Sequence, residues 1–417
     1  MRIGIIGAGA AGLTACWLLS ENHDVTLFEK QDRLGGHAQT VEVEQDGQII
    51  PIEAGFEFVM DSMFPTFIKL LGLLEVDLHR YPISATLYSR DQRTLTMMPP
   101  FNSGGIVWSA LKPYQICNLI QLQLALTFAR RLMDDRDTSI TIEKYIERLP
   151  VLQSFKTHFL YPFLQAQWCV ELDEFKQFAA YNALKYSAMN INGLQTPTGV
   201  EIVGGTQVYI RALAQASPRA VIKTSADISA ITHSGNQYSV REANGQVSDF
   251  DHLIVATSPW DALRLLNDVD GMERRRQELS RFGSFKTVIA VHSDRRWMPA
   301  EKKYWAVSNM RYDEAYCHNT VWKKWKSPRP IFRSWVTFEK QIPDSLHALV
   351  DYQHVKINLD YYQAQQNLIT QQGDQHLWLA GLYMHDIDSH ESAVMSAVNI
   401  ARQLDPESVN LGKLSVG

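Results

Sequence analysis

Gly7-Ala8-Gly9-Ala10-Ala11-Gly12 follows directly on the apolar run Ile3-Gly4-Ile5-Ile6 and opens into Leu13-Thr14-Ala15-Cys16-Trp17-Leu18. A short apolar run reads as a buried strand, and Leu13, Trp17 and Leu18 recur at helical spacing over Ala10 to Ser20. Each glycine has a mechanical task in a strand–turn–helix. Gly7 permits the tight turn, Gly9 lets backbone approach a pyrophosphate, and Gly12 lets the helix pack closely on the strand. The helix start, with Ala10 and Ala11 in its first turn, offers unpaired N–H groups and positive dipole to phosphate. A second buried strand, Val25 to Phe28, ends at Glu29, where a carboxylate can accept hydrogen bonds from both hydroxyls of a ribose. An acid there disfavours a 2′-phosphate. The unit reads as the βαβ opening of a Rossmann-type domain, and by itself it does not separate FAD from NAD.

Outward from that unit, composition narrows the class. The chain has 417 residues, 45% of them hydrophobic and 20% charged, enough for two domains and a large core. The formal charge of −5 makes no electrostatic case for nucleic acid. Cys16, Cys117, Cys169 and Cys317 show no CxxC spacing, which speaks against a disulfide framework and a structural zinc site, so no metal is expected. No secretory leader is expected ahead of Ile3, and no segment has the ~20 apolar residues of a membrane span. The expectation is a cytoplasmic protein, soluble or peripheral to the inner face of the membrane.

The pattern predicts an α/β protein: a Rossmann-type domain (glutathione-reductase-like) interrupted by a mixed sheet-plus-helices substrate domain. The nucleotide domain is expected in three pieces, 1–70, 200–265 and 366–417, and the substrate domain in two, 71–199 and 266–365. Val41 to Glu44 and Ile49 to Glu53 read as a hairpin about Asp46-Gly47. Phe64 to Leu74 and Gln207 to Gln215 read as helices, and 102–194 is mostly helical in pattern. Val221 to Ile231, Gln237 to Glu242 and Val247 to Val255 read as strands; His376 to Ala380 is a further strand and Glu391 to Gln403 a last helix.

Arg33-Leu34-Gly35-Gly36-His37 follows the ribose acid. A glycine pair after an arginine suits a loop laid against pyrophosphate and a ribityl chain, or a plain surface turn. Here the chain resembles the flavin amine oxidase superfamily, which includes phytoene-desaturase-like and protoporphyrinogen-oxidase-like FAD-dependent oxidoreductases. It is most similar to a bacterial group of NAD/FAD-binding proteins often encoded beside cyclopropane-fatty-acid-synthase-like enzymes. The resemblance runs through Gly35-Gly36-His37-Ala38-Gln39-Thr40-Val41, Glu53-Ala54-Gly55-Phe56, Val203-Gly204-Gly205-Thr206, Val255-Ala256-Thr257-Ser258-Pro259, Val291-His292-Ser293-Asp294 with Met298-Pro299, Leu379-Ala380-Gly381 and His390-Glu391. It implies non-covalent FAD. Glu29 and Lys30 would lie at the adenosine ribose, Arg33, Gly35, Gly36 and His37 along the pyrophosphate and ribityl region. Ile228 would meet the adenine through its backbone. Gly55, Phe56, Ala256, Gly381, His390 and Glu391 would complete the flavin site. The chain departs from the group at Glu53-Ala54, at Met60 and at Asp386-Ile387-Asp388-Ser389. Acids there either point away as helix caps or alter the flavin chemistry.

The resemblance implies an FAD-dependent oxidoreductase that desaturates or oxidises an apolar or aromatic small molecule. Non-redox isomerase or mutase chemistry, or flavin binding without catalysis, are the alternatives. Lys286, in Gly283-Ser284-Phe285-Lys286-Thr287-Val288, resembles the amine-oxidase strand lysine that holds a water near the flavin, or else is a solvent-facing lysine. His37 and His390 read as packing residues before acid–base groups. Phe159 to Trp168 with Trp297, Trp305, Trp322, Trp325 and Trp335 form either plain core or an apolar substrate wall. Ile116, Leu119, Ile120, Leu126 and Phe128 lie on a helix that suits either the core or a membrane surface, and the Met97-Met98-Pro99-Pro100-Phe101 loop favours lipid contact.

Overall fold

Strand β1 (Arg2–Ile6), helix α1 (Ala10–Leu19) and strand β2 (Asp24–Phe28) form the expected opening, with the strands parallel and Ile3 opposite Val25. The computed structural model describes residues 1–102, 104–191 and 195–415. Three strands from distant stretches complete a parallel sheet. Val221–Lys223 lies outside β2, His252–Val255 beside β1, and Leu377–Leu379 at the far edge. Side chains on both faces are covered: Ile3, Ile5, Leu27, Leu253, Ile254 and Leu379 have no exposed surface. Burying each such side chain contributes about 1.5–3 kcal/mol.

All ten residues of α1 are buried. Its last carbonyls would be left unsatisfied by the helix itself. Two side chains from the end of the chain supply donors: Asn410 Nδ2 to Trp17 O at 3.0 Å, and Ser408 Oγ to Leu18 O at 2.6 Å.

Two expected strands each divide. Val221–Lys223 stays in the parallel sheet, whereas Ile228–Ser234 joins an antiparallel three-stranded sheet with Gln237–Glu242 and Val247–Phe250. Ser225, at φ +53°, makes the break. The second division falls at Asp251, whose carboxylate accepts from the Arg2 backbone and guanidinium at 2.8 and 2.7 Å. Apolar runs do not show a change of sheet, because both halves bury the same residue types.

Strands β3 (Thr40–Gln45) and β4 (Gln48–Glu53) pair across Asp46-Gly47, both at positive φ as a two-residue hairpin turn needs. Helix α2 (Pro65–Leu73) follows. The stretch expected as a Met97 to Phe101 loop is instead structured. Leu95–Met98 is the edge strand of a seven-stranded sheet, and Phe101–Asn102 pairs with Gly105–Ile106. The long helix α3 (Pro113–Asp134) opens the helical block.

The seven strands run in the order Leu346–Val355, Ser284–His292, Phe332–Trp335, Cys317–Val321, Ser308–Tyr312, Ala85–Ser89, Leu95–Met98. One face of this sheet, the helices and the nucleotide domain enclose a common cavity. No described helix is long and apolar enough to cross a membrane.

Candidate functional site

A single cavity of about 1230 Å³ runs from the β1–α1 turn across the face of the seven-stranded sheet to the start of α3. A pocket for one small molecule is typically ~300–1,000 Å³, so there is room for a nucleotide and a second molecule. Gly7, Gly9, Ala10, Ala11, Glu29, Lys30, Arg33, Gly35, Gly36, His37, Gly55, Phe56, Ile228, Ala256, Gly381 and His390 all line it.

The nucleotide end is shaped by absent side chains. A Cβ on Gly12 would lie 1.9 Å from the Gly7 carbonyl oxygen, so only glycine lets α1 close on the turn. A Cβ on Gly9 would meet nothing within 4 Å, because the backbone there faces open space. Gly9 caps α1 with no side-chain hydrogen bond, and the first turn holds no acid, so its N–H groups stay free for an anion. Glu29 accepts from Ala8 N at 2.8 Å and Gln31 N at 2.9 Å, one on each oxygen. Each oxygen keeps lone-pair capacity for a ribose hydroxyl. Arg33 donates through Nη2 to Gly36 O and Gln39 Oε1, while its buried Nη1 has no partner. A buried, unpaired guanidinium nitrogen beside free helix N–H groups fits a pyrophosphate.

The loops are pinned by Glu53. Its carboxylate accepts from Gln39 N, Thr40 Oγ1, Gly55 N, Thr206 N and Thr206 Oγ1 at 2.5–3.3 Å. Burial raises its pKa, and those hydrogen bonds oppose the rise. The departure at this position is therefore structural: the longer acid still gathers three loops onto one group.

Around the cavity centre the ionisable groups are mostly neutralised by burial. His37 stacks on His354 with ring centroids 5.4 Å apart. His390 stacks on Phe56 at 4.0 Å and shares a 2.7 Å hydrogen bond with the Tyr209 hydroxyl. Burial lowers the pKa of all three imidazoles, to about 3 for His354 and His390. They are uncharged at neutral pH.

The acids before the last long helix, His390–Leu404, separate into three cases. Ser389 is the helix N-cap, accepting from Ser392 N. Asp386 turns away to Lys185 Nζ and Tyr181 Oη. Asp388 does face the cavity, and burial pushes its pKa up to about 6.

Three sequence expectations are corrected by placement. Glu391 does not line the cavity; its carboxylate accepts from Thr66 N at 3.0 Å and Phe67 N at 2.8 Å, capping α2. Lys286 is exposed and paired with Asp351 at 2.8 Å. Alternation along its strand turns Phe285 and Thr287 inward and Lys286 outward. Of the named aromatic wall, Phe163, Trp168 and Trp335 line the cavity, whereas Trp305 and Trp322 pack on each other at 5.0 Å and Trp325 Nε1 donates to Glu201. Trp297 packs against His292 in a separate small cluster. On α3, Leu126 is core, Leu119 lines the cavity, and Ile116, Ile120 and Phe128 are exposed.

Sequence reading missed Arg333, His354, Tyr352 and Asp388. All four face the cavity from strands or loops with no motif spacing, so only sheet register reveals them.

The model of flavin containing amine oxidoreductases matches residues 10–321, most of the chain and most of this site. The chain belongs to the flavin containing amine oxidoreductase family. It is thus classed with FAD-dependent oxidoreductases that hold FAD non-covalently. Two solved structures share the fold over nearly the full length. A conjugated-linoleic-acid (CLA)-producing fatty acid isomerase from P. acnes is 15% identical, covering 97% of this chain and 98% of that one, with a TM-score of 0.69. Cyclohexylamine oxidase from Brevibacterium oxydans IH-35A is 14% identical, covering 97% and 99%, with a TM-score of 0.67. An L-amino-acid oxidase from Pseudechis australis is 45% identical over 47 residues, 11% of this chain and 9% of that one. The chain thus spans about a tenth of the length of the curated relatives it matches. Among the described residues, no group of three His, Cys, Asp or Glu side chains could hold a metal ion.

Two predictions follow from this geometry. Glu29→Gln removes the charge that the ribose hydroxyls meet, and FAD titration of the apoprotein should show affinity reduced roughly 10- to 100-fold. For Asp388, the folded pKa of about 6 exceeds the unfolded value. The folded chain therefore keeps a proton that the unfolded chain releases, and this stability is lost as pH rises from about 4 through 6. Asp388→Asn should be about 2 kcal/mol more stable than wild type at pH 8 and equal to it near pH 4, by denaturant titration.

Proposed function

We propose that the chain dehydrogenates an apolar small molecule, preferentially by desaturating a C–C bond, and takes that molecule up from a lipid surface. One observation carries the reading: the nucleotide groove is continuous with an apolar chamber whose mouth opens among exposed apolar side chains.

When bound, FAD supplies the acceptor for a hydride. The chain's own residues supply orientation and dryness. Phe163, Trp168, Ile289, Met310 and Trp335 form apolar walls that hold a substrate and exclude water. The neutral imidazoles add no charge to that space. Desaturation also releases a proton, and the Asp388 carboxylate, poised near 6, can take it up on an Oδ atom. The outward Lys286 supports C–C over amine chemistry, since it brings no lysine to the cavity. The fold likeness to the fatty acid isomerase supports a lipid-like substrate, as does the resemblance to the group encoded beside cyclopropane-fatty-acid-synthase-like enzymes.

The mouth supports a peripheral site on the inner face of the membrane. Ile116, Ile120, Leu124 and Phe128 fall every four residues along α3 and are all exposed, Ile120 by 65%. Trp108 is 75% exposed, and Phe101 and Ile106 project from the adjoining hairpin. Met98, Pro99, Ile116 and Ile120 line the cavity at this same place. Exposed Lys112 and Arg131 flank the stripe, as suits an anionic bilayer.

Anaerobic addition of apolar candidate substrates should bleach the visible flavin band, and air should restore it with oxygen consumption. Product formation without bleaching or oxygen uptake would favour an isomerase. Neither bleaching nor product across a cell-extract metabolite screen would favour an accessory flavin protein. In flotation assays with phosphatidylglycerol vesicles the protein should bind, and the double variant Trp108→Ser, Ile120→Glu should bind at least about tenfold more weakly.

A further inference from the structure

Arg333 is the one strongly basic side chain whose charge is left open toward the chamber floor. It sits on Phe332–Trp335, the third of the seven strands, opposite Val291 and Val321, and is only 5% exposed. Its Nη2 donates to the carbonyls of Ala54 at 3.2 Å and Gly55 at 2.6 Å. Its Nε and Nη1 are buried and have no hydrogen-bond partner. The acids of this region are already committed. Glu57 is paired with Lys323 at 3.0 Å, and Glu53 is saturated by Thr206, Gly55 and the Gln39–Thr40 turn. A desolvated cation without a counter-charge is costly, so the fold holds it there only if something else completes it.

The guanidinium is held in place. Its carbon lies 4.2 Å from the centre of the Trp335 ring, so the plane rests on the indole while the carbonyl pair fixes one nitrogen. Asn319 lines the neighbouring stretch; its amide oxygen is taken by Ser308 Oγ at 2.9 Å, which turns its amide hydrogens elsewhere. Beyond these groups the walls are apolar as far as Met98 and α3. One guanidinium in such a setting matches a single negative charge. A doubly charged phosphate would keep a desolvated charge with nothing to meet it.

We infer that Arg333 docks a carboxylate of the substrate, which makes the substrate an apolar organic acid entering head first, its tail toward α3. This rests on the reading given under Proposed function, that the chamber is the substrate site. Arg333 thereby sets specificity and depth of insertion; the chemistry at the flavin needs no contribution from it.

The test uses purified yellow holoprotein and three probes of one shape: decanoate, decanamide and decylamine. Each is titrated while following perturbation of the flavin spectrum. Wild type should bind decanoate roughly 10- to 100-fold more tightly than decanamide, with decylamine weakest. Arg333→Met should bring decanoate and decanamide to about equal affinity, and Arg333→Lys should keep part of the preference. Equal binding of acid and amide by wild type would overturn the inference. So would an acid preference that survives in Arg333→Met, above all if that variant's flavin midpoint potential had shifted, since the arginine would then serve the cofactor. Should both variants fail to fold, the wild-type acid-to-amide ratio decides alone. A wild-type protein that is colourless and does not take up FAD would instead sink the FAD reading, a separate failure.

Discussion

A helix can aim its first N–H groups at a phosphate only if it begins where the strand ends, and here that depends on Gly12 resting against the Gly7 carbonyl. A β-carbon at Gly12 would stand 1.9 Å from that oxygen. The helix would have to withdraw, taking the free N–H groups of Ala10 and Ala11 away from the groove. Everything downstream inherits this contact. The buried helix is then locked by Asn410 and Ser408 from the far end of the chain, so the nucleotide site and the chain terminus form one packed unit.

The second constraint is the buried carboxylate of Glu53. Five donors from three loops converge on it. Buried carboxylates are tolerable when their lone pairs are satisfied, and such a network allows one arrangement of its donors. It therefore sets the position of the glycine pair at 35–36, of Gly55, and of the turn before the helix at Gln207–Gln215. Arg333 holds the carbonyls on the other side of the same Ala54-Gly55 segment. The segment that separates nucleotide groove from chamber is thus gripped by an acid on one side and a base on the other.

Desolvation governs the chamber's electrostatics. Histidines are left neutral, Asp388 is shifted toward neutrality, and Asp386 keeps its charge only by leaving for Lys185. A space so discharged favours apolar ligands and strengthens the few charges that stay. Residues that look acidic in sequence before the last long helix therefore have three separate fates, each set by what lies across from it.

The fold was legible in sequence wherever a steric or periodic demand is met by neighbours in the chain. The turn at Gly7 to Gly12, the acid at Glu29, the Asp46-Gly47 hairpin and the helix at Gln207–Gln215 are all of that kind, since strand, turn and helix lie within a few residues of each other. Facing and partnership were not legible. Lys286 points out and Arg333 points in because side chains on a strand alternate, and a slip of one residue reverses both. Glu391 caps α2, over 300 residues earlier in the chain. The site's outline was local in sequence; which charges enter it was decided by register and by contacts between segments that meet only when the three pieces of the nucleotide domain close around the inserted sheet.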